Sequence, residues 1–276
     1  MTRLVHLTDL HFGRERADLV APLQEAVRAC APDLVIVSGD LSHRARRAQF
    51  RRAMAFLRGL DLPFLTIPGN HDVPLFNLLA RMLFPFRGYC RAVPGSMTPE
   101  AELGPLRIFS ANTADPHSLR RGILRGRDLK RICAGMRRTP GDGVNILVCH
   151  HPLREPPGFE RGETKGAAQA LPQLQAAGLQ IVLSGHLHHW AIGLGITPET
   201  PQPILQVQTG TALCGRVGET DHGFSVLDIR PGDVTVTPWL ADEASCFRPA
   251  APHCYLRRDG LWHIADQRVG TGVSPL

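Results

Sequence analysis

Leu4-Val5-His6-Leu7-Thr8-Asp9-Leu10-His11 and Asp33-Leu34-Val35-Ile36-Val37-Ser38-Gly39-Asp40 are two apolar runs that stop at acids and histidines. The first predicts a strand over 4–8 ending at Asp9. The second is apolar without interruption, as a strand buried on both faces would be. Between them, residues 18–30 carry Leu19, Val20, Leu23 and Val27 at helical spacing. Residues 45–60 repeat that pattern with Phe50, Met54, Phe56, Leu57 and Leu60, arginine-rich elsewhere, and Phe64-Leu65-Thr66-Ile67 forms a third strand closing at Gly69-Asn70. A β-α-β-α-β order predicts a largely parallel sheet with covering helices.

Further along the chain, strands are expected over 106–110, 145–149 and 180–184, the last two stopping at His150 and Gly185. Helices are expected over 125–138 and 166–177. Residues 74–104 break the rhythm: they begin dense in Leu, Phe and Met and continue with Pro85, Pro94, Gly95 and Pro99. After residue 200, segments 204–209, 223–229 and 234–240 alternate between glycine-rich turns, the pattern of antiparallel strands. The expected organisation is one domain over 1–241 with a variable insert at 74–104, and a tail at 242–276 whose role the sequence leaves open.

The 276 residues are 43% apolar and 20% charged, an ordinary globular balance that excludes disorder and fibrous repeats. Glycine (27) and proline (23) together exceed the usual share of roughly 12%, so tight turns and shaped loops are expected. No run approaches the roughly 18–20 apolar residues of a membrane-spanning helix. Met1-Thr2-Arg3 leads straight into the first strand-like run, so no signal peptide is expected. Seven cysteines without CxxC spacing argue for free thiols, and the expected location is cytoplasmic. The net charge of +6, nearly all of it from arginine, favours an anionic partner.

Metal-type ligands cluster at five strand ends: Asp9-Leu10-His11, Gly39-Asp40, Gly69-Asn70-His71-Asp72, His150-His151-Pro152 and Gly185-His186-Leu187-His188. In an open parallel sheet, ligands gather outside the carboxyl ends of strands, so these groups can meet. If the backbone is extended, Asp9 and His11, and likewise His186 and His188, point to one side, and His151 and His189 turn away from their neighbours. Carboxylate, imidazole and one carboxamide make a mixed donor set. Four histidines, two aspartates and an asparagine are too many for one open ion and about right for two ions sharing a carboxylate.

The order D-x-H, G-D, G-N-H-D, H before H-P, and G-H-x-H resembles the calcineurin-like metallophosphoesterase superfamily over residues 4–190, with no ligand position substituted. The resemblance implies an α/β fold, a four-layer α/β/β/α sandwich of two mixed sheets. It also implies a dinuclear centre of divalent or trivalent transition-metal ions, Mn, Fe or Zn. One ion would take Asp9, His11, Asp40 and His188. The other would take Asp40, Asn70, His150 and His186, with His151 the competitor for the His150 position. His71 would be the catalytic, non-ligand histidine. Asp72 is a cap or loop brace, or it orients His71; His43 and His189 are peripheral, or touch substrate.

The activity so implied is hydrolysis of a phosphomonoester or phosphodiester by a hydroxide shared between the ions, with no covalent phosphoenzyme. Asp40-Leu41-Ser42 and the stretch from Gly69 to Pro74 resemble the class III cyclic-nucleotide phosphodiesterase branch. A second candidate is a pyrophosphatase similar to those that cleave UDP-diacylglucosamine. Residues 75–84, flanked by Arg87 and Arg91, would then be an apolar lid beside acyl chains, with peripheral lipid contact; they also fit a core helix or a dimer contact. Aromatics at 6% offer few base-stacking platforms, which argues against a nucleic-acid partner. A non-catalytic protein-binding scaffold would be expected to have lost ligands, and here all are retained. The partner expected is a small phosphoester; oligomeric state is open.

Overall fold

The apolar runs at the head of the chain become parallel neighbours in the computed structural model, which describes residues 1–156, 164–195, 204–219 and 221–265. β1 (Thr2–Leu7), β2 (Leu34–Val37) and β3 (Phe64–Thr66) pair in parallel, Leu4 beside Leu34 and Val35 beside Phe64. Helices α1 (Ala17–Ala29) and α2 (Arg47–Arg58) are the crossovers. The two-residue period of a strand splits each run between two cores. Val5, Leu7, Val35 and Val37 pack under the helices with Leu19, Leu23, Phe50 and Leu57. Leu4, Leu34 and Ile36 face the other way into a second core.

That second core is shared with another sheet. After α3 (Leu78–Leu83) and α4 (Arg87–Ala92) come β4 (Ala101–Leu103), β5 (Leu106–Ala111), α5 (Gly126–Met136), β6 (Val144–Cys149) and α6 (Ala167–Ala176). β7 (Leu179–Ser184), β8 (Ala191–Gly195) and β9 (Ile204–Gln208) follow, and the sheet runs β4-β5-β6-β7-β9-β8, parallel inside and antiparallel at both edges. Ile146, Ile181 and Leu205 meet Leu4 and Ile36 between the sheets. Ile132, Met136 and Leu174 cover the outer face with Leu147 and Val182. The layers are α/β/β/α, and both sheets are mixed, as the family resemblance implies.

The first sheet is completed by β10 (Gly223–Arg230), β11 (Asp233–Ala241), β12 (Phe247–Pro249), β13 (His253–Arg258) and β14 (Leu261–Ile264). Its order is β14-β13-β11-β10-β1-β2-β3, with β12 on β11. Part of the 242–276 stretch is therefore sheet, and it sends Tyr255 and Trp262 into the inter-sheet core. The remainder of that tail, 266–276, lies outside the described residues. The sequence hides β8 and β12 for a physical reason: Ala-Ile-Gly-Leu-Gly is broken by two glycines, and Phe-Arg-Pro is three residues long and ends at a proline. No helix of the described residues is long and apolar enough to cross a membrane.

Trp262 is 1% exposed. Trp262→Ala should lower unfolding free energy by about 3–5 kcal/mol in a denaturant titration. An unchanged midpoint would mean that β14 is a dispensable appendage.

Candidate metal centre

Five loops leave the carboxyl ends of β1, β2, β3, β6 and β7, and their side chains meet across the two sheets. Around His11 Nε2 stand His188 Nε2 at 3.1 Å, Asp9 Oδ1 at 3.4 Å and Asp40 Oδ2 at 3.4 Å. His188 Nε2 is also 3.0 Å from Asp9 Oδ1. A second group centres on Asn70 Oδ1, 3.0 Å from His150 Nε2 and 3.1 Å from His186 Nδ1. His150 Nε2 lies 3.4 Å from Asp40 Oδ2. Donors about 2.0–2.2 Å from one ion stand roughly 3–3.5 Å from each other. The seven residues expected as ligands thus gather into two groups at such spacings, and Asp40 Oδ2 lies near a histidine of each.

The local backbone is not extended, contrary to the expectation for the two i, i+2 pairs. Asp9 (φ 54°), His11 (φ 46°), Asp40 (φ 53°), His186 (φ 71°) and His188 (φ 53°) are all left-handed. Such residues cost about 1–3 kcal/mol each and persist only where their surroundings over-determine them. Here His11 N donates to Asp40 O (2.9 Å), Gly185 N to His150 O (3.0 Å) and Thr211 Oγ1 to Asp9 O (2.8 Å). Gly69 and Gly185 are required by close approach: a Cβ at Gly69 would strike Asp40 Oδ1, and one at Gly185 would strike Thr8 Oγ1 and Asp9 Oδ2.

Each carboxylate is half tied and half free. Asp9 Oδ2 accepts from Thr8 Oγ1 (2.7 Å) and His186 N (2.9 Å), and Asp40 Oδ1 accepts from His71 N (2.8 Å). Asp9 Oδ1 and Asp40 Oδ2 are left facing the imidazoles. The imidazoles are aimed in the same way: His150 Nδ1 donates to Ser38 O at 2.8 Å and His188 Nδ1 to Glu219 Oε1 at 2.6 Å. Outer partners of this kind fix which ring nitrogen is offered to a metal. Asp72 accepts from Leu41 N, Ser42 N, Gly69 N and Ser42 Oγ, and so braces the loops after β2 and β3.

The charges interlock. Burial opposes ionisation of Asp9 and Asp40, yet His188 beside the first and His150 beside the second hold both carboxyls well below the usual range. Burial likewise opposes charge on His150 and His188, but Asp40 lifts His150 to about 9, and Asp9 lifts His188 well above its ordinary value. Burial wins at His11 and His186, pushed down to about 4 and about 3. Mixed nitrogen and oxygen donors suit manganese, iron or zinc, and protons at His150 and His188 are ones that cations can replace.

His71 sits beside the cradles. Its Nδ1 donates to His43 O at 2.9 Å, and its Nε2 accepts from Arg216 Nη2 at 2.9 Å. Since a carbonyl only accepts and a guanidinium only donates, the ring is the neutral Nδ1-H tautomer. His43 stacks on it, the centroids 5.3 Å apart. His151 was expected to face away from His150, yet its ring lies 4.9 Å from that of His150 and 4.3 Å from that of His186, and its Nδ1 meets Thr113 Oγ1 at 3.0 Å. His189 is exposed and does not line the cleft. Arg216 and Glu219 were not foreseen. They occupy a turn after β9 without motif spacing, and the sole cue is that β9 also ends at this rim. The cleft holds about 430 Å³, walled by Leu75 and Arg81 of the insert, Leu119, Arg120 and Arg216.

The sequence pattern of the calcineurin-like phosphoesterase family matches residues 2–190. A probable cyclic nucleotide phosphodiesterase of Synechococcus is 28% identical over 231 residues, 74% of this chain and 81% of the relative. Purple acid phosphatase PPD1 from yellow lupin (Lupinus luteus) superposes with a TM-score of 0.68 at 15% identity, over 92% of this chain and 53% of the lupin protein. The chain thus spans about half that protein's length. A dimetal phosphatase from Danio rerio superposes with a TM-score of 0.63 at 14% identity, over 86% of this chain and 95% of its own. At such identities the two structures speak for the fold alone, whereas the family pattern runs through all five strand-end motifs. The chain belongs to the calcineurin-like phosphoesterase family and is a metal-dependent phosphoester hydrolase.

Proposed function

We propose that the chain is a dinuclear phosphodiesterase acting on a small phosphodiester of the cyclic-nucleotide class. One observation carries the dinuclear reading: Asp40 Oδ2 stands 3.4 Å from both His11 Nε2 and His150 Nε2, at the corner common to two donor sets. Asp9, His11, Asp40 and His188 hold one ion; Asp40, Asn70, His150 and His186 hold the other. The name of the 28% identical relative supports the diester. A cleft of about 430 Å³ has room for a nucleotide. The free cysteines fit action in a reducing cytoplasm.

Ions held by these residues would supply Lewis acidity at phosphorus and lower the pKa of a bound water toward neutrality. The chain's own residues do the rest. Arg216 and Arg120 line the cleft and neutralise non-bridging oxygens. His71 is fixed by the His43 carbonyl, so its Nε2 stays aimed at the cleft. With Arg216 paired to an entering phosphate, Nε2 is open to take a proton from solvent and give it to the leaving oxygen, which returns the ring to its neutral form.

His71→Ala should keep its metal and lose about 10²–10⁴-fold in kcat. Asp40→Ala should lose metal and activity together, as elemental analysis beside a rate assay would show. A His71 variant as fast as the parent on a monoester, a diester, a cyclic nucleotide and a nucleoside-diphosphate lipid would remove His71 from the mechanism.

Loading at pH 7 should release protons, because His150 and His188 carry them in the metal-free chain and must give them up to bind. Apparent affinity then climbs as pH rises toward about 9, where His150 deprotonates unaided. Calorimetric heats that do not change between buffers of different ionisation enthalpy would contradict this.

A further inference from the structure

Helix α3 is built inside out. Its arginine, Arg81, is 5% exposed, and the guanidinium donates to Pro116 O at 2.6 Å, Ser118 O at 2.7 Å and Pro74 O at 3.1 Å. Its apolar side chains face out instead: Leu78 is 68% exposed, Leu79 71%, Met82 54% and Leu83 59%, with Phe76 at 75% and Phe84 at 57% on either side. Isolated exposed apolar residues are ordinary. Six within nine consecutive positions form a patch, and a patch of this kind marks an interaction site. The inward arginine is held by three carbonyls, so α3 cannot simply roll over to bury its leucines.

Charge decides what covers the patch. The Arg44 guanidinium lies over the Phe76 ring at 5.1 Å and that of Arg87 over Phe84 at 5.7 Å. Arg91 is exposed on α4. No Asp or Glu occurs between residues 73 and 99. A second copy meeting this face about a two-fold axis would set arginine against arginine, with no carboxylate from the segment to pair them. An anionic bilayer satisfies both features: the apolar side chains enter the acyl boundary and the arginines meet phosphate headgroups.

We propose that residues 76–91 dock the chain on an anionic membrane surface. Leu75 and Arg81 wall the cleft, so docking sets its mouth beside the headgroups. The inference stands on the patch and does not depend on which phosphoester is cleaved.

The test is co-sedimentation of the full chain with vesicles of phosphatidylcholine, with and without phosphatidylglycerol. The parent should pellet with the anionic vesicles, less so as salt rises, and stay in solution with the zwitterionic ones. L79S/M82S/L83S and R87E/R91E should each weaken binding by about tenfold or more, while keeping the parent's thermal midpoint and metal content. If the apolar variant does not fold, the charge-reversal variant alone decides. A parent that ignores both vesicle types, or variants that pellet like the parent, would overturn the proposal. So would a parent dimer in light scattering that ignores vesicles and that L79S/M82S/L83S dissolves, since the occupant would then be a second copy.

Discussion

A single buried carboxylate sets the terms for this molecule. Asp40 is 1% exposed and must stay ionised, a state that an apolar interior does not tolerate without partners. One oxygen is tied to the His71 amide, and the other is left open to imidazoles from two directions. Much of the nearby chain serves that arrangement. Gly69 has no Cβ because the carboxylate occupies its place, and Asp72 pins the loops on which Asp40 and Asn70 ride.

The two sheets share the task unequally. The first supplies Asp9, His11, Asp40 and Asn70 from the ends of β1, β2 and β3; the second supplies His150, His186 and His188 from β6 and β7. Parallel strands deliver these groups to one rim, and the apolar inter-sheet core holds the two rims in register. Five left-handed residues at the rim show that the loops bend to bring these side chains together. The packed layers beneath hold that strain.

The parallel core and the convergence of seven metal-type side chains were legible because two strong patterns coincide in the chain. Strands buried on both faces read as uninterrupted Val, Ile and Leu, and each such run ends at residues whose chemistry suits metals. Features fixed only by tertiary contact were not legible. Arg216 and Glu219 reach the site from a turn without motif spacing. His151 was expected to face away from His150 on the premise of an extended backbone, but the chain bends at both residues. The 75–84 segment could be read as a lid, a core helix or a dimer contact. Three carbonyls far from it in sequence or across the turn bury Arg81 and thereby exclude the core reading. The tail strands were hidden because Tyr255 and Trp262 are scattered among polar residues.

Imidazolium–carboxylate pairing at the rim bears on the acidity range in which the fold is secure. His188 holds Asp9, and His150 holds Asp40, below the usual carboxylate range, while the two histidines are held above theirs. Acid neutralises the carboxylates and base strips the imidazoles, so the mutual support of these pairs lapses toward either extreme of pH.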